Sequence, residues 1–215
     1  MKDFLIGLLD WIYKKKCYFC KRSDECVRMC SKCYDTLEHL TPVPNRVVRG
    51  KAVYCAGVYD KNLQKLIRGL KYHNQKELAR YLAKFMYEYW LKINGKNNFQ
   101  VVPVPIFKTR EKKRKYNHMN LVAEEFCNLS GCTLNCDLIK RVKDTKPQYK
   151  LKKPERELNL KNAFEVNENN LLPMKILLLD DICTTGSTFE EMIKEFENYN
   201  IFDITCFAAT TPFEE

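Results

Sequence analysis

The sequence predicts an α/β protein with a small cysteine-rich module at its N-terminus. Two patterns carry that prediction. From Ala52 to Thr210, short apolar runs of strand character alternate with helical patterns, which argues for a mostly parallel, twisted sheet flanked by helices. Ahead of them stand two CxxC pairs, Cys17/Cys20 and Cys30/Cys33. The 215 residues, 45% of them hydrophobic, have room for one medium domain with a real core plus an appendage. Pro42 and Pro44 mark the break, giving a module over 1–40 and a larger domain over 50–215.

Taken in order, Phe4–Tyr13 places Phe4, Leu5, Leu8, Leu9 and Ile12 on one helical face. That makes a short amphipathic helix, packed on the domain or lying on a membrane surface. Asp10 interrupts it and no cleavage site follows, so it does not read as a signal peptide. No apolar stretch reaches the roughly 18 residues a membrane span needs. The chain is therefore expected to be cytoplasmic, with its 11 cysteines reduced.

Ala52–Tyr59 reads as a strand, Asn62–Tyr72 and Glu77–Leu91 as helices, and Phe99–Val104 as a strand. His118–Leu129 is a helix closed by Gly131, and Leu138–Val142 another strand. Lys143–Asn162 is polar, lysine-rich and without clear period, the pattern of a long loop. Lys175–Leu179 is a buried strand, Thr188–Tyr199 a helix and Ile204–Thr210 the last strand.

In open parallel sheets ligands bind beyond the carboxyl ends of strands. Lys175–Glu191, KILLLDDICTTGSTFEE, meets that condition. A buried run ends in Asp180 and Asp181; Thr184, Thr185, Gly186, Ser187 and Thr188 follow, and then a helix opens. Backbone amides at a helix N-terminus suit a phosphate. Gly186 permits a sharp turn and close approach of the anion. Two carboxylates beside a phosphate would repel it, unless the ligand also carries vicinal hydroxyls, as a ribose does. No lysine follows Gly186, which excludes a P-loop. A response-regulator receiver is excluded too, because its acidic pair follows the first strand of the domain. A plain capped strand-to-helix connection is the remaining alternative.

LLLDDICTTGST resembles the 5-phosphoribosyl-1-pyrophosphate (PRPP) signature of type I phosphoribosyltransferases, and the rest of the chain resembles the ComF family of competence-associated proteins. The resemblance implies a type I phosphoribosyltransferase-like fold. It gives the ribose hydroxyls to Asp180 and Asp181 as catalytic residues, and the 5′-phosphate to Thr184–Thr188. Leu70–Lys71–Tyr72 is similar to the family's lysine–aromatic helix end, and Val102–Pro103–Val104–Pro105 to its pyrophosphate-side strand and loop. Thr145, Gln148, Leu151, Arg156, Asn159, Ala163 and Phe164 keep the spacing of its hood. Arg114–Lys115–Tyr116–Asn117–His118 is similar to an arginine–glycine–aromatic–asparagine–glutamine motif, with Lys115 for the glycine and His118 for the glutamine. Lys108, Arg110 and Arg156 are the candidate pyrophosphate and hood contacts, of which only Arg156 matches a family motif.

Two CxxC pairs can complete a closed tetrahedral four-thiolate site suited to structural zinc. Cys26 is a possible substitute ligand. Cys55, Cys127, Cys132, Cys136 and Cys206 lie in apolar stretches and read as core, and Cys183 as a small filler. No Ser-His-Asp or Cys-His arrangement marks a protein nucleophile. Mg²⁺ would accompany PRPP, since a hard cation suits its oxygens.

Net charge is +10, which favours anionic partners and equally fits a lysine-rich solvated surface. Lys112, Lys113, Arg114 and Lys115, with Lys143, Lys146, Lys150, Lys152 and Lys153, offer a track for single-stranded DNA. Three functions stay open at this stage. One is a phosphoribosyltransferase with an unnamed acceptor. Another is a PRPP-responsive, non-catalytic protein acting with DNA and DNA-uptake or recombination proteins, DNA transformation entering through the family resemblance. The third makes the zinc module the nucleic-acid or partner contact.

Overall fold

The structure, a computed structural model, describes residues 15–94, 98–144 and 160–212. The chain divides into two compact units, Met1–Glu38 and His39–Glu215. The N-terminal amphipathic pattern, Phe4–Tyr13, lies outside the described residues. Within the first unit, α1 (Ser31–Tyr34) is a single turn that begins between the two cysteines of the second CxxC pair.

In the second unit, β1 (Arg46–Val48) and β2 (Lys51–Val58) form an antiparallel edge. Next come α2 (Lys61–Tyr72), α3 (Ala79–Asn94), β3 (Phe99–Pro103), α4 (Lys108–Arg114), α5 (His118–Ser130) and β4 (Thr133–Leu134). They are followed by β5 (Ile139–Arg141), β6 (Phe164–Val166), β7 (Lys175–Ile182), α6 (Ser187–Glu197) and β8 (Ile204–Thr211). The main sheet has the order β1-β2-β8-β7-β3-β4, and every pairing but β1/β2 is parallel. The expected mostly parallel α/β sheet is thus present.

Local chemistry explains why each main element forms. Asp60 caps α2, its carboxylate accepting from the N–H groups of Asn62 and Leu63 at 3.0 and 2.8 Å; such caps contribute about 1 kcal/mol. Leu63, Leu66, Ile67 and Leu70 form the buried stripe of that helix. Gly131 closes α5 at φ 73°, the left-handed cap that glycine adopts without a Cβ penalty.

Period-two alternation gives β7 two apolar faces. Ile176 and Leu178 pack with Phe189, Met192, Ile193 and Phe196 of α6. On the other face Phe207, opposite Leu179 in register, meets Tyr89, Trp90 and Phe126 of α3 and α5 at ring separations of 5.9, 5.4 and 6.1 Å. Each such pair adds about 0.5–1.5 kcal/mol beyond its burial.

Two findings refine the sequence picture. Leu138–Val142 does yield a strand, but it joins β6 in a separate antiparallel ribbon over the α6 face. The polar segment before it hid the partner strand. Moreover β7 runs on to Ile182, so Asp180 and Asp181 are its last turn of pleat and not a loop beyond it. Among the described residues no helix is long and apolar enough to cross a membrane.

Candidate functional site

Because Asp180 and Asp181 lie inside the pleat, alternation aims them at opposite faces. Asp180 is half-buried on the α6 side, and its Oδ1 accepts the Asp181 N–H at 2.8 Å. It lines a shallow, open concavity with Cys183, Thr184, Gly186, Ser187 and Thr188. Burial, followed by the neighbouring Asp181 carboxylate, raises Asp180 well above the usual carboxylate range.

The loop packs closely against the edge strand β1. Gly186 caps α6 at φ 85°, and a Cβ there would lie 2.8 Å from Val48 Cγ2. The Thr185 and Ser187 hydroxyls are 2.7 Å apart, and Arg46 donates to the Thr184 carbonyl at 2.5 Å and to Thr211 Oγ1 at 3.4 Å. The cradle therefore joins α6 to the edge strand β1. Cys183 is buried beneath it in the α6-side core.

On the opposite face Asp181 is sealed, only 4% exposed. Lys71 Nζ, from the end of α2, lies 2.5 Å from its Oδ2, and His118 Nε2, the first residue of α5, lies 2.7 Å away. Burial alone would raise this carboxyl, but Lys71 and His118 outweigh it and hold Asp181 well below the usual range. Burial lowers His118 despite the carboxylate beside it. A neutral His118 with its proton on Nε2 satisfies both neighbours. Nε2–H donates to Asp181, and Nδ1 accepts from Arg114 Nη1 at 3.3 Å. Asn117 caps α5 through the Met119 N–H, which fixes the ring's direction. Lys115 holds φ 67°, ψ 3° at the end of α4, the left-handed geometry that a glycine would adopt freely.

Sequence reasoning missed Lys71 and His118 as partners of Asp181, and it missed Arg141 and Arg46 altogether. Arg141 on β5 is buried, its guanidinium 5.5 Å from the Phe164 ring centroid. Burial, with repulsion from Arg110, lowers it to about 10, while Asp180 and Asp144 pull the other way. The period-two pattern of Ile139–Lys140–Arg141 was the available signal, since it sends Arg141 inward with Ile139. Lys108 is exposed and Arg110 half-buried on α4; Arg156 lies outside the described residues, as do Thr145, Gln148, Leu151 and Asn159. Ala163 and Phe164 are buried under α6. Lys112, Lys113, Lys115 and Lys143 are exposed, and the remaining lysines of the second basic tract fall outside the described residues.

In the first unit the sulfur ligands of Cys17, Cys20, Cys30 and Cys33 all lie within 4.8 Å of one another. Cys20 Sγ and Cys30 Sγ are 3.7 Å apart. A tetrahedron with metal–sulfur bonds of about 2.3 Å has edges near 3.8 Å, so the group can hold such an ion. The Cys30 N–H donates to Cys17 Sγ at 3.5 Å. Cys26 is exposed and turned to the Ser23 carbonyl at 3.4 Å, outside the group. Of the cysteines read as core, Cys55, Cys127, Cys132 and Cys206 are buried and Cys136 is half-buried.

No family model matches the chain. It is 32% identical over 157 residues to Competence protein F of Haemophilus influenzae, a match covering 69% of this chain and 67% of that protein. It is 30% identical over 138 residues to DNA utilization protein YhgH of Salmonella typhimurium, covering 62% of this chain and 60% of the relative. Competence protein ComFC of Bacillus subtilis is 29% identical over 140 residues, 65% of this chain and 54% of that protein.

Proposed function

The chain belongs to the ComF family of competence proteins, and from that premise we propose that it binds PRPP and transfers the phosphoribosyl group to a nucleophilic acceptor. One observation supports this above the rest. Asp180 shares a concavity with a glycine-capped helix N-terminus at the carboxyl end of a central parallel strand. The 5′-phosphate would lie against Thr184–Thr188, at the positive end of α6. Asp180 would accept hydrogen bonds from the ribose hydroxyls, and Asp181 would set the strand end from behind.

In the transfer, the C1–oxygen bond to pyrophosphate breaks as an acceptor lone pair forms the new bond to C1. The acceptor is the nucleophile, so the part of this chain would be to orient the sugar and stabilise the departing charge. Lys108, Arg110 and Arg141 are the cations nearest that role, with Arg156 as the hood's contribution. Asp180 and the oxygens of PRPP offer the hard donors that Mg²⁺ takes, and the cation would neutralise the leaving group. Calorimetry with PRPP and Mg²⁺ tests the reading. Asp180→Asn should weaken binding by about 1.5–3 kcal/mol, the worth of hydrogen bonds to a charged acceptor. Unchanged affinity in the folded variant would remove Asp180 from the ribose site. Pyrophosphate release across a panel of acceptors identifies the second substrate.

The N-terminal cysteines are assigned to structural zinc, because a closed four-thiolate site leaves no position open. About one zinc per chain is expected by elemental analysis, lowered by Cys33→Ser. Metal-free protein prepared without chelators would refute the assignment. A second reading, a non-catalytic protein that carries single-stranded DNA in competence, is favoured by the exposed Lys112, Lys113 and Lys115 on and beside α4. It predicts binding whose log affinity falls with log salt by about 0.7 per phosphate contacted. Neutralising the three lysines should flatten that slope.

A further inference from the structure

Tyr72 closes α2 and is 55% exposed, a large aromatic left in solvent at the mouth where Lys71 enters the buried cluster. Two guanidinium groups attend its ring. Arg68, one turn earlier on the same helix, stands 5.8 Å from the ring centroid, and Arg114, from the end of α4, stands 5.4 Å away. Among the described residues neither arginine pairs with a carboxylate. The buried Asp181 beneath them is engaged by Lys71 and His118. The surface around the ring is therefore both cationic and aromatic. Arg114 also reaches His118 Nδ1 at 3.3 Å, so this guanidinium lies two hydrogen bonds from Asp181 at the end of β7.

We propose that Tyr72, with Arg68 and Arg114, is a stacking subsite for one unpaired nucleobase. A flat ring and planar guanidiniums both offer faces to a base, and the guanidiniums also match the phosphate attached to it. A small inorganic anion would use the arginines and leave the tyrosine idle. An apolar ligand would gain nothing from the charges. A nucleotide uses all three groups. The source is either a free nucleotide, which would make this the acceptor side of the proposed transfer, or a base within a single strand. Only the acceptor role rests on the phosphoribosyl reading; the base site itself does not.

The test measures anisotropy at fixed salt with an oligothymidylate and with an abasic strand of equal length. Charge is the same in both, so any preference reports the base. Stacking on one residue contributes about 1–3 kcal/mol, so wild-type protein should favour the thymidylate strand about fivefold or more. Tyr72→Phe should keep that preference and Tyr72→Ala should abolish it, while thermal melts stay at the wild-type midpoint because the ring is exposed. Thymidine monophosphate as competitor separates the sources. Competition that depends on Tyr72 identifies a free nucleotide as ligand, and preference confined to strands identifies a polymer. Equal binding of both strands by wild-type protein, or a preference that survives Tyr72→Ala, overturns the proposal. Failure of PRPP to bind in calorimetry would overturn the transferase reading and leave this result standing.

Discussion

On the α6 side of β7, Asp180 faces an open concavity beside the glycine–hydroxyl loop; on the α3/α5 side, Asp181 is enclosed by Lys71 and His118. The two carboxylates are adjacent in sequence, and the pleat sends them to different chemistry. One is free to meet a ligand. The other ties three elements, β7, α2 and α5, into one frame. An acidic pair at a strand end therefore need not act as a pair, and a double substitution would blur a ligand contact with a structural one.

The largest expected effect separates the two. Asp181→Ala leaves Lys71 and His118 facing a buried site without their acceptor, which costs about 3–5 kcal/mol. Asp180→Ala removes a half-buried carboxyl whose charge the fold disfavours, so its stability cost should stay within about 1 kcal/mol. Denaturant melts of the two single variants decide this. Equal losses would mean that the faces are not distinct.

A smaller effect probes the cradle. Gly186→Ala adds a Cβ 2.8 Å from Val48 Cγ2 at φ 85°. Strain of about 1–3 kcal/mol is expected, together with weaker PRPP binding. Adding Val48→Ala should relieve the contact but not the backbone, so recovery should be partial. Full recovery would show that the left-handed φ costs nothing here.

Much of this was legible in the sequence where the signal was local. The CxxC spacing brings Cys17, Cys20, Cys30 and Cys33 together, and continuous apolar runs mark β7 and β8 as central strands. The glycine–hydroxyl run ends in a helix N-terminus as its composition implies. What escaped was set by distant partners. Nothing near Lys71 announces that it meets Asp181, and His118, read as the replacement for a motif glutamine, gains its role only when α5 packs beside β7. The edge strand Arg46–Val48 has three residues, too few to show a period, and so Arg46's grip on Thr184 was invisible.

The buried frame should also respond to pH, with a calculable sign. Asp181 is held low, so its stabilisation is present above the unfolded value near 3.9 and is lost as pH falls below it. His118 is lowered from 6.5, so the fold prefers it neutral. That contribution is intact above about pH 6.5 and declines as pH falls below, by up to about 1.4 kcal/mol per unit. Asp180, raised, works the other way, regaining stability as pH drops. His118→Gln isolates the histidine, since an amide can still donate to Asp181 and accept from Arg114. The difference between wild type and this variant cancels Asp180. It should be small at pH 7.5 and should grow in the variant's favour between pH 6 and 4.5. A flat difference would mean that His118 does not titrate against burial, Lys71 and Arg114.

The smallest effect lies one turn before that histidine. Lys115 ends α4 at φ 67°, ψ 3°, where an L side chain costs about 1–2 kcal/mol relative to glycine. Glycine recovers part of this, because its unfolded chain has more freedom to lose. Lys115→Gly should therefore stabilise the protein by about 0.5–1 kcal/mol while removing one exposed positive charge. The adjoining residues fix what must stay constant. Tyr116 donates its hydroxyl to the Leu70 carbonyl at 2.6 Å, and Asn117 caps α5, so the turn delivers His118 to Asp181 with or without the lysine side chain. Lys115→Ala serves as the control, since it removes the charge but keeps the Cβ. If alanine stabilises as much as glycine, the gain is electrostatic relief in a basic tract. If only glycine stabilises, the strain is in the backbone, and this chain keeps a lysine there at a cost that its surface charge must justify.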